Sequence, residues 1–366
     1  MEVLFILFVV AVLIQLLYLV IIFRELAVYK APSKVEKVPA VSVVICARNE
    51  SARLERNLPL FLEQDYPEFE VILVNDNSED DSELLLLKLA AKYPRLVVRT
   101  ITQESNIMKG KKYPLTVGIR AAKHEIVLLT DADCAPVDKR WISSMASVYD
   151  EQTEIVLGYA PYRKYGTLIN KYIRYETFMS GLSYLSFALA KMPYMGVGRN
   201  LSYRKKVFYN NNVFPKHPHL ISGDDDLLIN KAANGSNTKV QVSSSSLIYS
   251  EPKTSWDEYW GQKRRHVSTA KYYRKGNLFL LGLYSVSHLL FYCFFILVMM
   301  YSPYQLIAGV LFSIRMLTQA FIFRACMKKL GELDLFWYFP LMDFLFLIYY
   351  LKLFPDVFQT KPASWK

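Results

Sequence analysis

Four apolar stretches decide more about this chain than any other feature. Residues 3–23 are interrupted only by Gln15, and residues 278–301, 303–323 and 335–354 form three further stretches towards the other end. Each approaches the roughly 20 residues that cross the hydrocarbon core of a bilayer. Hydrophobic residues make up 52% of the 366 and aromatic residues 14%, more than a soluble core of this length absorbs. The expected organisation is a membrane anchor at 1–24, a soluble domain at 38–250, an interfacial segment at 255–277 and a membrane region of about three helices at 278–355.

Charge sets the expected topology. Arg24, Lys30, Lys34 and Lys37 follow the first stretch, and by the positive-inside rule they hold the soluble domain in the cytoplasm. With no basic n-region before it and no small-residue cleavage site after it, the stretch reads as an uncleaved anchor rather than a signal peptide. The third stretch would then return with Arg324, Lys328 and Lys329 inside. A fourth crossing is expected from the apolar run at 341–351, although it would leave Lys361 and Lys366 outside, against the same rule, whereas a re-entrant or interfacial segment would keep them inside. Arg315 and Asp343 fall within expected spans, where a mutual pair would offset the cost of two charges.

The excess of 44 Lys+Arg over 33 Asp+Glu, a net +11, suits an anionic lipid surface. No nucleic-acid-binding motif accompanies it, so no nucleic-acid partner is expected. Cys46, Cys134, Cys293 and Cys326 lack CxxC spacing and read as reduced thiols.

The middle of the chain alternates two periodicities. Short Val/Ile-rich runs at 40–47, 69–75, 96–101 and 125–130 read as strands, and the segments 53–64, 81–93 and 113–123 between them have helical spacing. Strand and helix in this order predict an α/β domain with a mostly parallel sheet covered on both faces. The stretch at 179–198 reads as core, or as a helix beside an acceptor groove, and "SSSS" at 243–246 as a local turn.

Ligands of such sheets sit beyond the carboxyl ends of the strands. Unusual residues lie there: Arg48-Asn49-Glu50 after the first strand, Asp76 after the second, and Asp131 and Asp133 after the fourth. A lone Asp76 would serve equally well as a helix cap. Two carboxylates one residue apart repel unless a cation or proton intervenes, and oxygen ligands with open positions suit Mg²⁺ or Mn²⁺ completed by phosphate oxygens. No glycine-rich phosphate loop is present, which leaves basic residues such as Lys109, Lys111 and Lys112 to assist the metal. Asp224, Asp225 and Asp226 form a second acidic group, either a cap on the following helix or a general base with a raised pKa. His217 and His219, split by Pro218, read as loop residues rather than metal ligands.

The ordered set "VSVVICARNE", "VNDNSED", "GKKYPLTVGI", "LLTDADC", "GVGRNLSYRK", "SGDDDLL" and "QKRRH" resembles the membrane-bound glycosyltransferases of family 2 over about residues 40–270. The resemblance implies a GT-A fold and transfer from a nucleoside-diphosphate sugar, with a UDP-sugar the expected donor. It implies that Asn49, Glu50 and Asp76 line the nucleotide pocket, that Lys111 lies near the donor, and that Asp133 is the principal metal ligand with Asp131 beside it. Asp224 aligns with the catalytic base and Asp225 with a one-residue slip of that alignment. Gln262 and Arg265 of the QxxRW-like segment would touch the donor diphosphate.

The sequence departs from the family pattern at two positions. Gly223 stands where the family often has glutamate before the base, and His266 stands for the tryptophan found in processive enzymes. The expected function is inverting transfer to a hydroxyl of a lipid-linked or glycan acceptor, on the cytoplasmic face of a bacterial inner membrane. The alternatives are a processive polysaccharide synthase and an inactive nucleotide-binding scaffold.

Overall fold

The computed structural model describes residues 2–31, 39–103, 108, 110–211 and 220–358. Lys109, His217, His219, Lys361 and Lys366 lie outside them. The first helix, α1, spans Glu2–Val28 and includes a π-helical stretch at Tyr18–Phe23. The soluble part follows, with β1 (Val41–Ala47), α2 (Ser51–Leu62), β2 (Phe69–Asp76), α3 (Ser82–Lys92), β3 (Leu96–Ile101), α4 (Lys112–Ala121) and β4 (Ile126–Asp131). It continues through β5 (Cys134–Pro136), α5 (Trp141–Ala146), β6 (Ile155–Leu157), α6 (Leu168–Leu189), β7 (Leu201–Arg204), α7 (Lys205–Asn211), α8 (Asp226–Ala232), β8 (Thr238–Val240) and β9 (Ile248–Ser250). Helix α9 (Trp256–Val267) leads to α10 (Lys275–Tyr301), α11 (Gln305–Lys329) and α12 (Phe339–Phe358).

Seven strands form one sheet in the order β3-β2-β1-β4-β7-β6-β8, and β5 and β9 form a separate antiparallel pair. The first four strands of that order are parallel, β7 runs against both β4 and β6, and β8 is parallel to β6. The four parallel strands are the four expected from the sequence. Their side chains are apolar on both faces because both faces are covered. Val43 and Ile45 of β1 pack with Leu54, Leu58 and Phe61 of α2 on one side, while Val44 packs with Leu115 and Ile119 of α4 on the other.

The face bearing α4 also receives α6 and the near ends of the apolar helices. Phe23 of α1, Phe178 of α6, Phe323 of α11 and Phe346 of α12 belong to the same apolar core as Leu129 of β4. Lys329 donates to the carbonyls of Leu26 and Ala27 at 3.0 and 2.6 Å and also to that of Tyr29. It thereby caps the carboxyl end of α1 with a positive charge, where the helix dipole favours one. Among the described residues, four helices are long and apolar enough to cross a membrane, namely α1, α10, α11 and the segment Leu333–Asp356 that contains most of α12.

Midway along these helices lies a buried polar cluster. Asp343 of α12 accepts from Arg315 and Gln319 of α11 and Tyr292 of α10, each at 2.8 Å, and contacts His288 at 3.1 Å. Arg315 also donates to Gln15 of α1 at 3.0 Å, and Gln15 to Ser287 at 2.8 Å. Arg315, Asp343, His288 and Gln15 are fully buried, as charges within an apolar layer must be when they are paired.

Candidate active site

Register brings the acidic residues to one edge of the sheet. Asp131, the last residue of β4, is the partner of Cys46 in β1, and Asn75 near the end of β2 is the partner of Ala47. The carboxyl ends of β1, β2 and β4 therefore open together, at the place where α/β sheets bind ligands. Beside this edge is a cavity of about 570 Å³ whose walls include Lys111, Asp131, Asp224, Asp225, Gln262 and Arg265. Six of the residues singled out in the sequence thus share one space. Asn49, Glu50, Asp76 and Asp133 are not part of its wall.

Lys111 forms an ion pair with Oδ1 of Asp131. Burial works to raise the Asp131 pKa, but the Lys111 ammonium outweighs it and holds the carboxyl below its ordinary value. Asp133 differs in kind. Burial and the charge of Asp131 both push its pKa up, and its oxygens have only long contacts, to the Cys134 thiol at 3.5 Å and the Ser250 hydroxyl at 3.3 Å.

The three consecutive aspartates divide the work. Asp226 accepts from Thr269, from the Tyr273 hydroxyl at 2.8 Å and from the Leu227 N–H at 2.8 Å, which ties α8 to the segment before α10. Asp225 caps α8, taking the N–H groups of Asp226 at 2.8 Å and Gly198 at 2.6 Å. Burial first, and then its two acidic neighbours, push Asp225 up to about 8. Asp224 faces the Lys111–Asp131 pair. Burial raises its pKa and Asp131 adds to the rise, while Lys111 and Lys112 oppose it. The capping reading of the triple aspartate therefore falls on Asp225.

Local backbone geometry fixes where these groups stand. Gly110 has φ +69°, and a Cβ there would come 2.3 Å from the Ile221 carbonyl oxygen, so the lysine turn and the aspartate turn touch backbone to backbone. Lys112 reinforces the contact by donating to the carbonyls of Leu220 and of Ser222, the latter at 2.9 Å. Gly223 has φ +100°, a region that side chains with a Cβ rarely adopt. Its departure from the family's glutamate thus follows from the path of the chain.

The remaining expected residues are placed as follows. Asn49, at φ +55°, accepts the Glu79 N–H at 2.8 Å and donates its own N–H to Ser78 at 2.9 Å, joining the turns after β1 and β2. Glu50 is held by Arg53 at 2.6 and 2.8 Å. Asp76 closes β2 beside these turns.

Helix α9 carries Gln262, Arg265 and His266 into the cavity wall. The His266 ring is open to the cavity yet surrounded by protein, and burial together with Lys263, Arg265 and Arg199 keeps it neutral, with its pKa pushed down to about 3. Lys112, expected from the sequence to assist the metal, instead grips the aspartate turn. Sequence reasoning missed two contributors. Lys263 forms a buried ion pair with Glu176 of α6 in the same wall. Arg199 lies 4.4 Å over the Tyr162 ring, and its Nη1 is buried without a hydrogen-bond partner among the described residues. An arginine inside "GVGRN", just ahead of an antiparallel strand in the middle of the sheet, was the available signal.

The family model "Glycosyl transferase family 2" matches residues 42–211, from the first strand to α7. Residues 42–211 belong to glycosyl transferase family 2. The probable glycosyltransferase YdaM of Bacillus subtilis (strain 168) is 24% identical over 246 residues, 65% of this chain and 56% of that protein. A dolichyl-phosphate beta-glucosyltransferase of Mus musculus is 31% identical over 121 residues, 30% of this chain and 34% of that protein. The chain thus spans about half the length of the first relative and a third of the second. The mannosyltransferase PcManGT of Pyrobaculum calidifontis, solved with GDP-Man and Mn²⁺, shares the fold at a TM-score of 0.59 and 17% identity, over 95% of this chain and 98% of that one. The family 2 domain here therefore has the GT-A architecture, with long apolar helices attached at both of its ends.

A divalent cation fits the carboxylates of this domain. Among the described residues no group of three or more His, Cys, Asp or Glu side chains converges on a point. One or two carboxylates suffice for Mg²⁺ or Mn²⁺ when diphosphate oxygens and water complete the shell. Asp133, crowded by Asp131 and with only long contacts at both oxygens, has the open acceptor capacity that such an ion needs.

Proposed function

We propose that this protein is an inverting glycosyltransferase that moves a sugar from a nucleoside-diphosphate sugar, a UDP-sugar by expectation, to a hydroxyl of a lipid-linked acceptor. The observation that carries the reading is the mixed lining of the cavity. Its wall combines Asp131, Asp224, Arg199, Gln262 and Arg265 with Phe23 of α1, Leu281 and Tyr284 of α10, and Phe346, Tyr349 and Tyr350 of α12. The polar and charged residues suit a charged donor, and the residues from the apolar helices suit an amphiphile whose apolar part sits among them. The mouse relative named for dolichyl phosphate and the GDP-Man complex of PcManGT support the same pairing of lipid and nucleotide sugar.

In this mechanism Asp224, with its raised affinity for a proton, takes the proton of the acceptor hydroxyl as that oxygen attacks the anomeric carbon. The bond from that carbon to the diphosphate oxygen breaks on the opposite face, and the configuration inverts. Arg265, Gln262 and Arg199 hold the departing nucleoside diphosphate, Lys111 keeps Asp131 charged and oriented, and Asp225 fixes the helix that presents Asp224. A Mg²⁺ or Mn²⁺ held by Asp133 and Asp131 would supply Lewis-acid stabilisation of the leaving group.

Processive synthesis with export through the same molecule is disfavoured by packing. The rings of Phe8, Phe291, Phe295 and Phe312 stack between α1, α10 and α11 with centroids 4.2–5.9 Å apart, and the Arg315–Asp343 cluster fills the space beside them. A polymer has no path between these three helices.

The deciding experiment incubates the purified, reconstituted protein with a panel of labelled nucleotide sugars and a membrane lipid extract, followed by mass spectrometry. A single sugar added to a lipid, lost on chelation and restored by Mn²⁺ or Mg²⁺, is the expected result. Products of growing length, or no transfer from any donor, would overturn the reading.

A further inference from the structure

Composition makes α12 a fourth membrane crossing, but only one side of it packs as one. The three other apolar helices pack against one another: α1 runs beside α10 and α11, with Phe8 against Phe291 and Gln15 against Arg315. Helix α12 joins them through Asp343, Phe344 and Leu347, which meet Arg315, the Tyr292 ring and the core of Phe8 and Phe291, while its other side runs beside α9. Its first residue, Phe339, meets Phe323 near the end of α11 that contacts the soluble domain, with ring centroids 5.9 Å apart. Further along, Phe346 meets Tyr175 of α6 at 6.0 Å and Tyr349 meets Trp260 of α9 at 6.5 Å. Further still, Lys352 lies 4.2 Å over the same Trp260 ring. Phe339 and Lys352 therefore both touch the soluble-domain side. Thirteen residues of rise, about 20 Å, would separate them along the membrane normal in a crossing helix.

The two faces of α12 agree with that placement. Phe339, Met342, Phe346 and Leu353 are buried in the core that also holds β4 and α6, and Tyr349 packs against it. The opposite face carries Leu341, Phe344, Ile348, Leu351 and Phe354, which are 44–68% exposed. Their spacing of three and four residues draws one continuous apolar stripe. This stripe continues the exposed apolar surface of α10 and α11, which includes Val286 and Leu317.

We propose that α12 lies in the plane of the membrane surface on the side of the soluble domain, its apolar stripe set into the lipid and its aromatic face closing the cavity. The partner of the stripe is the bilayer at the depth of the headgroup and upper acyl region, where amphipathic helices insert one face. A helix placed so does not carry the chain across the bilayer, in keeping with the Lys361 and Lys366 charges that follow it in sequence. Phe346, Tyr349 and Tyr350 stand between the lipid-facing stripe and the cavity interior, so an acceptor would approach beside this helix. The placement does not depend on the reaction proposed above.

Two measurements on the full chain test it. A protease site is appended after Lys366 in sealed, oriented vesicles, whose sidedness is set by impermeant labelling of Lys88→Cys in the soluble domain and Gln305→Cys in the α10–α11 turn. Cleavage without detergent in the vesicles that expose Lys88→Cys is expected, whereas cleavage in those that expose Gln305→Cys overturns the proposal. Nitroxide labels at Leu341, Ile348 and Phe354, introduced singly as cysteines, give the second readout. Equal, shallow depths are expected; a gradient approaching the ~20 Å that thirteen residues of helix span, or uniform burial at the bilayer centre, overturns it.

Discussion

At the scale of single residues, the three aspartates separate by what already occupies their oxygens. Asp224→Asn removes the proposed base while keeping its shape, so kcat should fall roughly 100-fold or more with nucleotide affinity unchanged, as single-turnover kinetics and titration calorimetry would report. Asp225 makes a different prediction. Its pKa rises from an ordinary carboxylate value to about 8 in the fold, so the folded state binds its proton more tightly than the unfolded chain does. That stabilisation is complete below about pH 4 and is lost as pH climbs through 8. The melting temperature should therefore decline across this window, and Asp225→Asn, which cannot charge, should flatten that part of the decline in a thermal scan at several pH values. Arg199 has a buried donor without a hydrogen-bond partner among the described residues, and a charge-assisted hydrogen bond is worth about 1.5–3 kcal/mol. Arg199→Met should raise the Kd for the nucleoside diphosphate about tenfold or more, measured by calorimetry.

At the scale of elements, the turns carry the chemistry and the strands carry the turns. Gly223→Glu would restore the residue common in the family, yet at φ +100° it should cost about 1–3 kcal/mol and lower kcat as the aspartate turn shifts. Thermal unfolding and initial rates check both effects. The four parallel strands were readable because continuous Val/Ile runs between helical periods have few other solutions. The short strands β5 to β9 were not, since three or four residues such as Ile155–Leu157 carry no period of their own and owe their pairing to neighbours distant in sequence. The site was legible where chemistry is written into residue type, at Asp131 and Asp224, because adjacent like charges demand a reason. Glu176 and Arg199 were not, because a lone charged residue in a helix or loop looks solvated until the fold buries it. In α12 the sequence left both a crossing and an interfacial helix open, because hydropathy is the same for both and only the neighbours differ.

At the scale of the whole molecule, the polar cluster joins all four apolar helices. Asp343→Leu would leave Arg315 buried without its carboxylate and should destabilise by about 3–5 kcal/mol, while adding Arg315→Leu should recover part of the loss. Unfolding of the reconstituted protein in increasing denaturant would measure both. The same cluster has a consequence for biogenesis. Gln15 and Arg315, hydrogen-bonded in the finished protein, are 300 residues apart in the chain. At synthesis rates of about 5–20 residues per second, the first helix waits roughly 15–60 s in the membrane for its partners. During that interval the face of the sheet that will meet Phe323 and Phe346 is still uncovered. The nascent chain therefore has a vulnerable half-minute in which a chaperone or the translocation machinery must shield it, and a ribosome stalled before the last helices would release a catalytic domain unable to close.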